Sequence, residues 1–571
     1  MIGTYAAVAA ICVSSLAIGQ ATVLLCGGRR WSWLAPAVGL ALLCALCWGT
    51  VRLPGDGVVS AVVVLVLTVA AIAYLWSRVE RTGEALRVGW PVALIALLAA
   101  SLPFAVEGHF GILGTSFNPD MSQHLLAADR LAEGHSSQLL NQGYPLGPHS
   151  IVVALNKGLG IGLVQGFSGL TVAIAILACL TALAAFADLS LLPRAAGALL
   201  VGVAYIVASY FAQGAFKETM QALFLLAFVL ALREVDRRWS ELPLRYVPAA
   251  LIAVGSVYTY SFPGLIWLGG AAVLWAIFTR PAVKALGLAL LVFVVLVAPE
   301  IGRMIDFHSF ETFDPNGPGL GNLFGQISPF EALGIWPSGD FRLAPGDGAV
   351  PAAAYYLGIA FALALLVYGV VHLWRRRETA ILSGLAAAAL AYAAARVGGT
   401  PYTAAKAIEI GAPLVALTIL LPLLRASVVR VMAAMHPKLA PQRLARIAVG
   451  LFVLAAGICS LLALANAPVG PTAYSSTLSD YRKLVGEGPT LVVASPQLLQ
   501  EEHGGPFISW ELRGGRVCIQ STEEAGKLPT GVRFVIEDDD GWTLRRVSHP
   551  TEGKSPCPLI AERQARQGPA H

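Results

Sequence analysis

The chain has 571 residues, 56% of them hydrophobic and only 13% charged, and its mean hydropathy of +0.69 is too high for a soluble globular protein. The net charge of +5 is modest, and the basic residues fall mostly in short stretches between apolar runs, where they report membrane orientation. A soluble enzyme is excluded and no nucleic-acid signature is present; what remains is a polytopic membrane protein.

Four apolar runs, near 3–26, 34–51, 58–76 and 89–106, are each about long enough to cross a bilayer. The first has no basic start and no clear cleavage site, so it reads as a span and not as a signal peptide. Arg29 and Arg30 follow the first run, and Arg78, Arg81 and Arg87 follow the third. The positive-inside rule places both loops in the cytoplasm and the N-terminus outside. Cys44 and Cys47 form a CxxC in spacing only, within an apolar helix and without further ligands.

By the same parity, 107–148 lies on the outer face and holds the one polar helix of this half, FNPDMSQHLLAADRLAEG (117–134). Asn118 suits the N-cap, Pro119 the first helical position and Gly134 a left-handed terminus. Asp120 then sits in the first turn. His124, four residues on, shares its edge above the face of Leu125, Ala128 and Leu131. The plain alternative is that Asp120 only complements the helix dipole and that His124 is a surface or packing residue. GYPLGPH (143–149) leads into a short apolar helix over 150–160, expected at the interface and not as a span.

Spans near 168–189, 195–212 and 217–232 follow, with QGAFKE (213–218) at an outer turn that puts Lys217 and Glu218 at the mouth of the bundle, as a pair or as separate site groups. Arg233, Arg237, Arg238 and Arg245 are cytoplasmic. After spans near 246–262, 264–279 and 283–298 comes a long outer loop, 299–351, with seven acidic residues against Arg303 and Arg342. His308, Asp314, Asp340 and Arg342 are its lesser candidates. Spans near 353–373 and 379–396 flank Arg375, Arg376 and Arg377, and the outer turn 396–413 sets Tyr402, Lys406 and Glu409 at the start of the next span. A last span near 447–466 brings the total to about fourteen. Residues 467–571 form an outer α/β domain, with strands at 490–495, 515–519 and 532–538, a helix at 496–503 and a disordered tail. Its Cys518 and Cys557 can pair if the domain faces an oxidising compartment.

Asp120, His124, Lys217, Glu218, Lys406 and Glu409 are thus gathered on one side of the membrane, which suits a substrate that is half lipid and half polar. Sugar transfer from a polyprenyl phosphate needs a base for the acceptor hydroxyl and cations for the leaving phosphate. Asp120 is the base expected, with His124 orienting it, Lys406 and Lys217 on the phosphate, and Glu218, Tyr402 and Tyr144 supporting.

This order of elements resembles the GT-C superfamily of membrane glycosyltransferases, which carry an essential acid in the first outer loop. NPDMSQHLLAADRLAEG matches in position, GYPLGPH is similar to the family's Tyr-Pro segment, and QGAFKE and PYTAAKAIEIGAP are similar to outer turns of bacterial, actinobacterial-type members. The resemblance covers roughly 89–466. It implies a GT-C-like core, with 1–88 and 467–571 as additions, in a multi-pass plasma-membrane protein whose active face and C-terminal domain are extracytoplasmic. It also implies a polyprenyl-phosphate sugar donor and an envelope glycan, lipid or protein acceptor. Members with two adjacent acids in the catalytic loop differ here, since Asp120 is flanked by Pro119 and Met121. That leaves a divalent metal on Asp120, His124 and a long-loop acid as an option and no cofactor as a requirement. Two rival readings remain open: a transporter or lipid-linked sugar flippase, and a non-catalytic envelope assembly protein.

Overall fold

The computed structural model describes the chain apart from residues 77, 79, 81, 116–119, 136, 240, 243, 309–318, 433–439, 474, 501–503, 524–527, 539–540 and 558–571. A helix occupies each apolar run, as the hydrophobic composition requires of backbone that water cannot solvate. Among the described residues eight are long and apolar enough to cross a membrane: Ile2–Leu25, Asp56–Leu75, Leu163–Ala182, Val283–Phe307, Ala352–Arg375, Thr379–Gly398, Pro401–Ala426 and Arg446–Ala465. A ninth candidate is the pair Leu191–Gly202 and Tyr205–Ala212, bent by 51°. Ala35–Val51, Ala85–Ala100, Val247–Tyr260 and Gly264–Thr279 are shorter, and Phe216–Glu234 is enclosed by protein along almost its whole length. The architecture is that of a multi-pass helical membrane protein.

Small residues let the helices close on one another. A Cβ on Gly19 would come within 1.9 Å of the Ala35 carbonyl and one on Gly39 within 1.8 Å of the Ser15 carbonyl, so Ile2–Leu25 and Ala35–Val51 pack backbone to backbone. The helix expected at 150–160 is Gly147–Leu159. At 13 residues it spans about 20 Å, too short to cross. Residues 147–155 are all buried, because the helix is wedged between Ala35–Val51, Asp56–Leu75 and the polar helix Met121–Ala132, so it is covered by protein and not laid open on a surface.

The two ends of the bundle differ chemically. At one end Glu378, 4% exposed, is gripped by Arg233 (2.8 Å), Arg425 (3.2 Å) and Arg237, while Arg425 also holds Asp188 at 2.8 Å. These are the loops read from sequence as cytoplasmic, and they meet as one knot. The opposite end carries Asp120, Lys217, Lys406 and the soluble domain.

That domain contains the main sheet. Two short strands, β1 (Ile112–Leu113) and β2 (Val469–Gly470), pair antiparallel and fasten the segment before Asp120 to the end of the last membrane helix. Beyond them, β3 (Thr490–Ala494), β4 (Val517–Ser521), β5 (Phe534–Asp538) and β6 (Trp542–Arg546) form a sheet in the order β4-β3-β5-β6, parallel except for β6. The three expected strands are present; β6 and the helices Ser476–Val485 and Gly504–Glu511 were not foreseen. Cys518 and Cys557 are joined as a disulfide. The domain is not a free appendage, because Gly504–Glu511 packs on Met121–Ala132.

Candidate functional site

The site is built on the first turn of Met121–Ala132. Asp120 is the N-cap residue, two positions earlier in the helix than expected, and its carbonyl accepts from the backbone N–H of Gln123 (3.0 Å) and His124 (3.2 Å). Asn118 and Pro119, assigned to that cap from sequence, lie outside the described residues. Gly134 is left-handed as expected, with φ +67°. Asp120 is half-buried.

His124 is not at an exposed edge. Only 8% of it is accessible, and its Nδ1 lies 3.1 Å from Nε2 of His149, a residue that the sequence reading left without a role. Phe167, Phe216 and Tyr144 surround the two imidazoles. His149 is wholly enclosed, and burial pushes its pKa down to about 3, so the ring is neutral.

Lys217 and Glu218 do not pair with each other, since adjacent helical residues point apart. Lys217 lies 4.0 Å over the Tyr144 ring, with Tyr260 at 6.0 Å on another side. Glu218 turns inward to Lys406, whose Nζ is 3.1 Å from its Oε1. Lys406 also stands 4.1 Å over the Tyr402 ring. The Asp120 charge acts on both lysines, so the acid and the two cations belong to one electrostatic unit. Glu409, one turn beyond Lys406, is fully buried, and neither carboxylate oxygen has a hydrogen-bond partner among the described residues.

Arg303 was also missed. Its guanidinium donates to the carbonyls of Leu140 (3.0 Å) and Tyr144 (2.6 Å) and lies 3.4 Å from Glu300, which fixes the Tyr144 loop under Lys217. The signal in the sequence was a basic residue in a long loop dominated by acids. Next to it, Phe262, Ile301, Met304, Ile305 and His308 line an apolar cleft of about 370 Å³. Phe262 is one ring away from Phe307, which touches Tyr144. Asp340 and Arg342 hold each other at 2.7 Å as a local pair, and Asp314 lies outside the described residues.

The far end of the same helix meets the soluble domain. Asp129 lies 3.6 Å from Arg513, whose guanidinium stacks 3.6 Å over Trp510. Burial raises the Asp129 carboxyl despite Arg130 and Arg513, and burial likewise lowers Arg513 to about 10. Among the described residues no three His, Cys, Asp or Glu side chains form a group that could hold a metal ion. Asp120 and His124 thus gain no third ligand there.

Two ammonium groups at the end of a low-dielectric bundle, an acid beside them and an apolar cleft nearby can hold a phosphate ester of a lipid and take a proton from an incoming hydroxyl. No family model matches the chain, and no curated protein sequence matches it.

Proposed function

We propose that the protein is a membrane glycosyltransferase that moves a sugar from a polyprenyl-phosphate donor to an extracytoplasmic envelope glycan, lipid or protein. The observation that carries this reading is the grouping of Asp120 with Lys217 and Lys406 at one end of the bundle. In the proposed step the acceptor oxygen attacks the anomeric carbon as Asp120 takes its proton. The bond from that carbon to the phosphate oxygen breaks, and the phosphate leaves with the electron pair, stabilised by Lys406 and Lys217. Tyr144 and Tyr402 shape the walls beneath these ammoniums, Glu218 positions Lys406, and the cleft around Phe262 and Ile305 suits an isoprenoid chain.

The reading extends to a GT-C-like core over about 89–466 and about fourteen spans, counting the bent pair, the shorter apolar helices and Phe216–Glu234 as crossings. It places the site and the 467–571 domain outside the plasma membrane. The Cys518–Cys557 disulfide supports that side, since such bonds persist in oxidising compartments.

The test is transfer from a panel of radiolabelled polyprenyl-phosphate sugars in purified membranes, comparing the natural chain with Asp120→Asn at equal expression. Loss of about 10²–10⁴-fold in the variant, with insertion unchanged, is expected of a general base. Equal transfer by both would remove Asp120 from the mechanism. A second reading, transport or flipping of a lipid-linked sugar, is favoured by the 51° break between Leu191–Gly202 and Tyr205–Ala212 and by Pro413 and Pro422 inside Pro401–Met432. Ion-gradient dependence with no covalent transfer would select it.

A further inference from the structure

The His124–His149 contact decides which nitrogen of His124 carries the hydrogen. With both rings neutral, two arrangements satisfy the contact. In the first, His124 Nδ1–H donates to His149 Nε2, and His149 must then carry its own hydrogen on Nδ1. That nitrogen is buried and has no hydrogen-bond partner among the described residues. An enclosed N–H left unpaired is rare, whereas an unused lone pair is better tolerated. In the second, His149 Nε2–H donates to His124 Nδ1, which leaves only a lone pair on His149 Nδ1 and puts the remaining hydrogen of His124 on Nε2. Both rings then adopt the Nε2–H form that free histidine side chains prefer.

We infer that His149 fixes His124 as its Nε2–H tautomer, so that His124 presents a hydrogen-bond donor to the site and has no lone pair with which to act as a base. His149 is then a positioning residue, acting through His124. Helix geometry sets the contact: His149 lies in the first turn of Gly147–Leu159, wedged against Met121–Ala132, and its ring meets Phe167 and Phe216 edge to face. The charged and titratable groups around the pair are Asp120 on the His124 helix, Tyr144, and Lys217 over the Tyr144 ring. A cation so placed opposes a second positive charge on either imidazole. The consequence for chemistry is a division of labour, with proton acceptance assigned to Asp120 alone and His124 able only to donate a hydrogen bond. That consequence rests on the glycosyltransfer reading; the tautomer itself does not.

The test begins with nitrogen-15 NMR of histidine-labelled full-length protein in detergent, assigning His124 and His149 by the signals lost in His124→Gln and His149→Gln. Two neutral Nε2–H rings are expected, and a hydrogen on Nδ1 of His124 overturns the inference whatever the protein's activity. Transfer supplies an independent readout. Glutamine places an amide N–H near the position of Nε2 and asparagine near that of Nδ1, so His124→Gln should retain at least about tenfold more transfer than His124→Asn; the reverse order overturns the inference. His149→Phe should lower transfer about 10–100-fold, the range for a residue that fixes a working ring from behind. It should also add a limb to the pH profile in the imidazole range, because the Nδ1 lone pair of His124 is released. Absence of transfer from every donor overturns the glycosyltransfer reading and leaves the NMR result to decide the tautomer.

Discussion

Lys406 Nζ stands 3.1 Å from Glu218 Oε1, between two helices that are distant in sequence, with both residues under a tenth exposed. Taking both charges out of water is costly, and their attraction offsets that cost only while both are present. Lys406→Met should therefore destabilise the protein by about 3–5 kcal/mol by stranding Glu218, and Lys406→Met with Glu218→Met should recover most of that loss. Transfer should be absent in both. Denaturation midpoints in detergent separate the two effects, and equal midpoints for the single and double variants would contradict the coupling.

Lys217 makes no direct ion pair with Glu218, and its ammonium lies over the Tyr144 ring, so removing it leaves the Lys406–Glu218 contact in place. Lys217→Gln should leave the midpoint nearly unchanged and weaken donor use by about 10–100-fold, the worth of one charge-assisted contact to phosphate. The drop should appear in KM for the donor when chemistry is slow. An unchanged KM would take Lys217 out of the phosphate site.

Asp129 and Arg513 join the site helix to the soluble domain, and burial works against the charge of each. The folded state holds the Asp129 proton more tightly than the unfolded state. Docking is thus most stable below the ordinary carboxylate value of 3.8 and weakens as pH rises from there to the folded value. Arg513 has the opposite sense: its folded pKa lies below its unfolded one, so docking gains stability as pH rises above about 10. Arg513→Leu should loosen the domain by about 1–3 kcal/mol, while Asp129→Leu with Arg513→Leu should be neutral or stabilising. The rate at which protease releases the domain reports both.

The Cys518–Cys557 bond closes a loop over a sequence separation of 39. Chain-entropy estimates give such a cross-link about 4 kcal/mol. Reductant, or Cys557→Ser, should lower the unfolding midpoint of the soluble domain and leave the helical signal of the bundle intact. A midpoint indifferent to reductant would show that the bond contributes nothing there.

The helices were legible because apolar length is written locally, and the gathering of Asp120, Lys217 and Lys406 at the end opposite the arginine knot followed from the arginines that alternate with them. Pairing was not legible. Glu218 has a lysine beside it in sequence and another brought to it in space, and only packing distinguishes Lys217 from Lys406. His124 was placed at an exposed edge because its own helix is polar; what buries it, Phe216 and His149, comes from other helices. The soluble domain's strands showed in their β-branched runs, but nothing in Gly504–Glu511 announces that its target is Met121–Ala132.

The pairing of β1 with β2 also carries a consequence for how the chain is made. Thr115 accepts from Gly470 N–H across a separation of 355 residues, and Gly504–Glu511, which covers the site helix, is synthesised later still. A ribosome releases the membrane helices one by one, while the clasp and cover of the site emerge near the end. Every nascent chain therefore passes through a period in which Asp120 and its helix stand open to the aqueous side. Maturation of the candidate site is timed by completion of the polypeptide, and a chain stalled before Val469 would be a bundle that lacks both the β1–β2 clasp and the cover over the Asp120 helix.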